Sequence, residues 1–160
     1  MHNLVFKPVQ AQRGVAMVEF AITLPLLLLL LLAIGEFGRM LYQYNILLQA
    51  SRDASRYAAG EVWNSDGAEP GVGLQAQIKN VAVYGVPSSA AGFPPVVPGL
   101  TTDNVQVYPP VAEHVRVSIT YNFCPVIGAG NCGGSLPGFF GNAIALNIPL
   151  TATTVMRVLR

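Results

Sequence analysis

The chain has 160 residues, of which 52% are hydrophobic and only 11% are charged, and its formal net charge at pH 7 is +1. This length fits one ordinary domain once the part that lies in a membrane is set aside. A net charge so close to zero argues against nucleic acid as a partner, because nucleic-acid-binding domains carry clustered basic residues.

The most apolar part of the chain is residues 15–34, VAMVEFAITLPLLLLLLLAI, in which Glu19 is the only charged residue. About twenty helical residues, each rising ~1.5 Å, cross the ~30 Å hydrocarbon core of a bilayer. The sequence contains no second run of this kind, so it predicts a single membrane-spanning helix. Pro25 lies inside this span, where it removes one backbone hydrogen bond and favours a local bend.

The residues that precede the span predict its orientation. Residues 1–14 form a polar arm that contains Lys7 and Arg13 but no acidic residue. Positive charge beside a first spanning helix holds that side of the membrane protein in the cytoplasm. The chain after the span is therefore predicted to be exported.

Beyond the membrane the helix is predicted to continue as an amphipathic segment, residues 35–60. No proline interrupts this segment, and an apolar stripe with helical spacing contains Phe37, Leu41, Tyr44 and Leu48. Gly60 is predicted to end the helix, because glycine readily adopts the left-handed conformation that closes helices.

The charged residues of this helical segment each have two interpretations. Arg39 could pair with Glu36, three residues earlier, or reach lipid phosphates. Arg52, Asp53 and Arg56 could dock a partner, although a solvated helical face is the favoured interpretation.

Residues 61–160 are predicted to form a β-rich domain that includes one short helix. After a turn-rich connector, LQAQIKNVAVYG has an apolar helical face and ends at Gly85, and a proline-rich loop follows at residues 87–99. Residues 103–108 alternate weakly, whereas residues 114–123 alternate cleanly between apolar and polar side chains, as in a half-buried antiparallel strand. A final strand is predicted to place on one side of the sheet Ile144, Leu146, Ile148, Leu150 and Ala152. The predicted fold class is α+β.

Two cysteines, Cys124 and Cys132, lie in a glycine- and proline-rich stretch of the part that is predicted to be exported. An oxidising compartment would allow them to form a disulfide that closes this loop. Two free thiols are the alternative. The stretch contains no histidine or further cysteine, so a zinc site is not expected.

No catalytic constellation is recognisable in the sequence. His114 lies on the polar face of a predicted strand, and the adjacent Glu113 points to the opposite face of an extended chain, so the two form no acid–base pair. The sequence has no P-loop, no glycine-rich dinucleotide fingerprint and no HExxH helix. We therefore expect neither an enzymatic activity nor a cofactor or metal.

The most informative motif lies where the apolar segment begins. Gly14 follows Arg13 at the end of the basic arm, and Glu19 and Phe20 lie five and six residues beyond it. This spacing resembles the class III signal of prepilin peptidase substrates, which are cut after a glycine on the cytoplasmic side and keep a Glu at the fifth position of the mature helix. With EFGR at residues 36–39 and SRDASRYAAG at residues 51–60, the segment resembles the TadE-like minor pseudopilins of Tad (tight adherence, Flp-type) pili.

The resemblance implies a pilin-like fold, in which a long N-terminal helix, transmembrane in its first half, packs on a small antiparallel β-sheet domain. It implies a structural and assembly subunit that is processed between Gly14 and Val15 and that supports pilus biogenesis and surface adhesion. The implied location is the bacterial inner membrane, with a cytoplasmic N-terminus and a periplasmic C-terminal domain. The implied partners are a prepilin peptidase, the inner-membrane platform, sibling pseudopilins, the major pilin and the lipid bilayer.

Glu19 has a physical role in this interpretation. An ionised carboxylate inside a bilayer costs about 2.5 kcal/mol or more at mid-membrane, so it needs a partner. Cleavage after Gly14 would give Val15 a new α-amino group, which Glu19 of a neighbouring subunit or of the same chain could pair with. The simpler alternative is that Glu19 lies close enough to the cytoplasmic interface to reach water.

Two other readings of the whole chain stay open. The protein could be an unprocessed, membrane-anchored binding or adhesin module whose helix is only a tether. Alternatively, a secretory signal peptidase could cut after Gly35, because Ala33-Ile34-Gly35 is a small-x-small sequence after an apolar run. The length of that run and the presence of Glu19 within it argue against this second route.

Overall fold

The computed structural model describes residues 13–64, 70–88, 92–111, 113–126, 135–137, 141–145 and 147–158. Within them lie two α-helices and five strands, named here α1 (Arg13–Asn64), α2 (Val72–Tyr84), β1 (Val105–Val111), β2 (His114–Phe123), β3 (Ser135–Pro137), β4 (Ala143–Ala145) and β5 (Ile148–Arg157). The chain divides into two compact units, residues 1–37 and 38–160. A long, apolar N-terminal helix with a small antiparallel sheet confirms the predicted α+β class.

Three strands form an antiparallel sheet in the order β1-β2-β5. Strand β2 is central, and its apolar residues Val115, Val117 and Ile119 are fully buried, whereas its alternate side chains lie on the opposite, open face. Strand β5 pairs with β2 over its whole length, from His114 opposite Arg157 to Phe123 opposite Ile148. The prediction of a half-buried antiparallel strand at residues 114–123 is confirmed.

The final strand is divided, so the prediction of one continuous strand from Ile144 was wrong. Strand β2 ends at Phe123, which pairs with Ile148, and β2 therefore offers no partner to the residues before Ile148. Residues of β4 pair instead with β3 in a separate two-stranded sheet. Leu150 and Ala152 are buried as predicted, whereas Ile148 is exposed and Leu146 lies outside the described residues.

The C-terminal half of α1, from Gly38 onward, contributes a face of small residues to the core. The residues of this face are less than a tenth exposed and comprise Leu47, Ala50, Ser51, Ala54, Ser55, Ala58 and Val62. The predicted apolar stripe is confirmed in part, because Tyr44 and Leu48 are half-buried against the core, whereas Phe37 and Leu41 are exposed. Apart from Leu47 and Val62, the side chains of this face are small, and small side chains let a helix backbone approach a sheet closely.

Two buried serines join α1 to the sheet through hydrogen bonds. The Ser51 hydroxyl donates to the carbonyl oxygen of Val117 at 3.2 Å and lies 3.0 Å from Thr154 Oγ1. The Ser55 hydroxyl donates to the carbonyl oxygen of Ser51 at 2.7 Å and lies 3.3 Å from the carbonyl oxygen of Thr154. Buried hydroxyls of this kind are tolerated because they are hydrogen-bonded.

Gly60 does not end the helix, so that prediction was also wrong. Helix α1 continues to Asn64, and Val62, one turn after Ala58 on the same face, is fully buried. A glycine inside a helix costs about 1 kcal/mol relative to alanine, whereas burying a valine side chain contributes about 1.5–3 kcal/mol. The burial of Val62 therefore outweighs the cost of Gly60.

Helix α2 is confirmed, and the loop that follows it closes one side of the core. The helix ends at Gly85, which has a left-handed φ of +76° and donates its N–H to the carbonyl oxygen of Val81 at 3.0 Å. In the described part of the proline-rich loop, residues 87–88 and 92–99, there is no helix or strand. Val97 in this loop is nevertheless buried, because its chain is fixed by a 2.8 Å hydrogen bond from the N–H of Val96 to the carbonyl oxygen of Val83.

Candidate processing and assembly segment

The N-terminal part of α1 exposes an unbroken apolar surface. Every large hydrophobic side chain from Val15 to Ile34 is at least 37% exposed. The helix is long and apolar enough to cross a membrane, with a mean hydropathy of 2.6 over its most apolar eighteen residues. Apolar side chains in this density are stable in lipid or against other apolar helices, and not in water. Pro25 lies within the helix at the predicted position.

Both residues of the predicted cleavage site lie in the first turn of α1. The helix begins at Arg13, so Gly14 and Val15 are already helical. Glycine has a low helix propensity, so Gly14 weakens the helix at this point. A Cβ atom added at Gly14 would meet no atom within 4 Å, which shows that packing does not require glycine here.

Glu19 is exposed on α1, one turn after Val15, and Phe20 beside it is also exposed. Side chains four residues apart on a helix have Cβ atoms about 5–6 Å from each other, so Val15 and Glu19 are neighbours on one face. A shallow depression runs along this face and is lined by Gly14, Val15, Val18, Glu19 and Ile22. Of the predicted site residues, Gly14, Val15 and Glu19 are thus brought together on one accessible stripe, whereas Phe20 lies outside it.

The hydroxyl of Thr23, one helical turn after Glu19, is hydrogen-bonded within the helix. It lies 2.9 Å from the carbonyl oxygen of Glu19 and 3.3 Å from that of Phe20. A threonine inside a lipid-embedded helix commonly satisfies its hydroxyl in this way. Between residues 15 and 34, the Glu19 carboxylate is therefore the one ionisable group that the helix presents to its surroundings.

Sequence reasoning missed the main contacts of Arg39. Its guanidinium donates a hydrogen bond from Nη2 to the carbonyl oxygen of Cys124 at 2.6 Å and lies 4.6 Å from the centroid of the Phe123 ring. The same charge acts on Tyr121, whose pKa is raised by burial and lowered to a smaller extent by Arg39. Arg39 thus fixes the C-terminal half of α1 to the end of β2. No local pattern predicts which strand end a helix residue will meet.

Arg39→Ala is expected to reduce the free energy of unfolding by about 1–2 kcal/mol, because it removes a charge-assisted hydrogen bond and a cation–π contact. Arg52→Ala, an exposed control on the same helix, is expected to change it by about 0.5 kcal/mol or less. Thermal unfolding of the intact chain in detergent micelles, followed by near-UV circular dichroism, measures both. Equal effects of the two substitutions would contradict this role for Arg39.

The remaining predicted residues differ in how the structure places them. Arg52 and Arg56 are exposed, and Asp53 is half-buried with its carboxylate 3.3 Å from the side-chain nitrogen of Gln49. Cys132 lies outside the described residues, so the disulfide between Cys124 and Cys132 stays a prediction. Among the described residues, no group of three or more His, Cys, Asp or Glu side chains could hold a metal ion.

One known protein family matches the N-terminal part of the chain, which includes the predicted cleavage site. Residues 14–56 match the family model of TadE-like proteins, from the predicted cleavage glycine through the apolar span to Arg56. Residues 14–56 are a TadE-like segment. No curated protein and no solved structure is significantly similar to the chain. Residues 57–160 lie outside the matched region.

Proposed function

We propose that the protein is a minor pseudopilin, a structural and assembly subunit of a Tad-type pilus that a prepilin peptidase cleaves after Gly14. The observation that carries the proposal is the TadE-like match, which begins at Gly14 and includes Glu19 and Phe20. In this role the protein primes or joins the pilus and thereby supports surface adhesion and biofilm formation. Its partners are the peptidase, the inner-membrane platform, sibling pseudopilins and the major pilin.

The charge pattern supports an inner-membrane location for the precursor. Lys7 and Arg13 precede the apolar span without any acidic residue, which favours a cytoplasmic N-terminus and a periplasmic C-terminal domain. In this orientation the bond between Gly14 and Val15 faces the cytoplasmic side, where a prepilin peptidase acts. The low helix propensity of Gly14 favours binding of this segment to the peptidase in an extended conformation.

The exposed stripe of α1 supports the assembly role. Cleavage creates an α-amino group on Val15, and Glu19 lies on the same face one helical turn later. Pairing Glu19 with the amine of a neighbouring subunit neutralises a charge that is costly in lipid and fixes the axial offset between two helices. The apolar side chains around Glu19 supply the packing surface for that neighbour.

Processing gives the decisive test of the proposal. Co-expression with a Tad-type prepilin peptidase is expected to give a chain that starts at Val15, and expression without it a chain that starts at Met1. Gly14→Leu is expected to abolish this cleavage, whereas Gly38→Leu, at a position equally free of neighbouring atoms, is expected to leave it unchanged. Intact mass and N-terminal sequencing measure all four samples.

Two other results would overturn the proposal in different ways. A start at Met1 with and without peptidase would leave an unprocessed, membrane-anchored binding or adhesin module as the better account. A start at Glu36 would indicate cleavage by a secretory signal peptidase after Gly35 and release of the remaining chain.

A further inference from the structure

The open face of the β1-β2-β5 sheet carries a cleft of about 400 Å³, which we call the outer cleft. The pairing register builds it from two rows of side chains across the strands, since Arg116 lies between Tyr108 and Val155, and His114 lies between Val111 and Arg157. The residues that line it are Tyr108, Pro109, Val111, His114, Arg116 and Val155. Its volume lies within the roughly 300–1,000 Å³ range of small-ligand sites.

The backbone around the outer cleft departs from regular sheet geometry. The register of β1 against β2 shifts between Tyr108 and Val111, where Pro109 and Pro110 interrupt the ladder. At the tip of the same hairpin, Glu113 has a left-handed φ of +64°, which is uncommon for a residue with a side chain. Bulges and such strained residues occur preferentially beside functional sites.

The end of β5 holds this strained tip in place. The N–H of Val158 donates to the carbonyl oxygen of Glu113 at 2.7 Å, and an Arg157 guanidinium nitrogen lies 3.3 Å from a Glu113 carboxylate oxygen. The charge of Arg157 is therefore balanced by Glu113. These two contacts connect Glu113 to the end of β5 beside the cleft.

Arg116 supplies the charge of the outer cleft. Its guanidinium lies 3.9 Å from the centroid of the Tyr108 ring, and no carboxylate in the described part of the chain lies within ion-pair distance of it. Stacking on an aromatic ring orients a guanidinium while leaving its N–H edge available for a bidentate carboxylate. The cleft therefore offers an oriented cation beside an apolar wall.

The rest of the open face is rich in hydroxyl and amide groups. The next row across the sheet contains Gln106, Ser118 and Thr153. Their polar atoms already form local hydrogen bonds, with Ser118 and Thr153 hydroxyls 2.8 Å apart. A ligand that extends from the cleft over this row would form hydrogen bonds with these groups in place of the ones they form with each other.

We infer that the outer cleft binds an acidic saccharide, a uronic acid unit of an anionic polysaccharide. The carboxylate pairs with Arg116, which is stacked on Tyr108, the C–H face of the pyranose ring packs on Pro109 and Val155, and the following sugars lie over the hydroxyl-rich row. This inference rests on the adhesive part of the proposed function and is independent of processing at Gly14. It gives the subunit a surface for polymers outside the cell.

Titration calorimetry on the intact chain in detergent micelles tests the inference with short oligouronates and with uncharged maltooligosaccharides of the same length. Oligouronates are expected to bind, and the uncharged oligosaccharides are expected to bind at least about tenfold more weakly. Arg116→Gln is expected to weaken oligouronate binding by at least about tenfold, since it removes the charge from an exposed site. The matched control Arg56→Gln removes one exposed cation from α1 and is expected to leave binding unchanged.

A second variant distinguishes the loss of a ligand contact from a distortion of the sheet, because it leaves Arg116 in place. Val155→Glu places a carboxylate at an exposed position of the cleft wall and is expected to abolish oligouronate binding while the circular dichroism spectrum is preserved. Equal binding of both sugars, unchanged binding by Arg116→Gln or Val155→Glu, or equally tight binding of a polyphosphate would overturn the inference. Cleavage at Gly14 without oligouronate binding would refute only the proposal that the outer cleft binds a saccharide. Oligouronate binding without cleavage would refute only the pseudopilin role.

Discussion

A Glu19→Ala variant is expected to be cleaved and to fold normally but to fail to enter the pilus. The carboxylate is exposed on the apolar N-terminal half of α1 and is the one charge between residues 15 and 34. If it pairs with the Val15 amine of a neighbour, its loss removes this ion pair and the axial offset that the pair fixes, so we expect at least about a tenfold loss of incorporation, equivalent to about 1.4 kcal/mol. The fraction of the subunit in sheared pili, relative to the membrane fraction, measures this effect.

Glu36→Ala is the matched control, since it removes one carboxylate from the same helix just beyond the other end of the apolar run. We expect this variant to be incorporated as well as the parent chain. Normal incorporation of Glu19→Ala would mean that Glu19 merely reaches the interfacial water and sets no offset between subunits. Loss of incorporation in both variants would mean that the helix needs its charges in general and that Glu19 has no special position.

The long apolar helix could be predicted because its signal is local, and the signal for the candidate site, which stays a prediction, is local too. Twenty consecutive apolar residues identify a span without reference to any other part of the chain. The spacing of Gly14, Glu19 and Phe20 is likewise contained within seven residues, and the TadE-like match begins at the same glycine. Strand β2 was predicted for the same reason. The alternation of apolar and polar side chains within residues 114–123 is enough to indicate which of them face the core.

The inner face of α1 could not be predicted from hydrophobicity alone. A pattern of Phe37, Leu41, Tyr44 and Leu48 has a stronger apolar signal than one of alanines and serines. Which face is buried depends on how close the partner sheet comes, and a close sheet selects small residues such as Ala50, Ala54 and Ala58. Large side chains then lie beside the contact.

Long-range pairings were also beyond sequence reasoning. Arg39 meets Cys124, 85 positions later in the chain, and the strand register alone places Tyr108 beside Arg116. The division of the final strand at Ile148 follows from where β2 ends, which its own residues do not reveal. Strand order and register are properties of pairs of segments, whereas alternation is a property of one segment.

Ala54→Leu is expected to lower the free energy of unfolding by about 3 kcal/mol, at the upper end of the usual cost of overpacking. Ala54 is fully buried in the face of α1 that packs on the sheet, so three additional carbon atoms would force the helix away from β2 and β5. That displacement would also lengthen the hydrogen bonds that Ser51 and Ser55, on either side of Ala54, make to Val117 and Thr154. Thermal unfolding in detergent micelles measures the loss.

Arg56→Leu is the matched control, because it introduces the same side chain two residues away on the exposed face of the same helix. We expect it to change the free energy of unfolding by about 0.5 kcal/mol or less. If Ala54→Leu proved equally mild, the helix and sheet would have room to separate, and the small residues would not be needed for close packing. A large loss confined to Ala54→Leu would instead mean that close approach to the sheet, and not apolar area, selects the alanines and serines of α1.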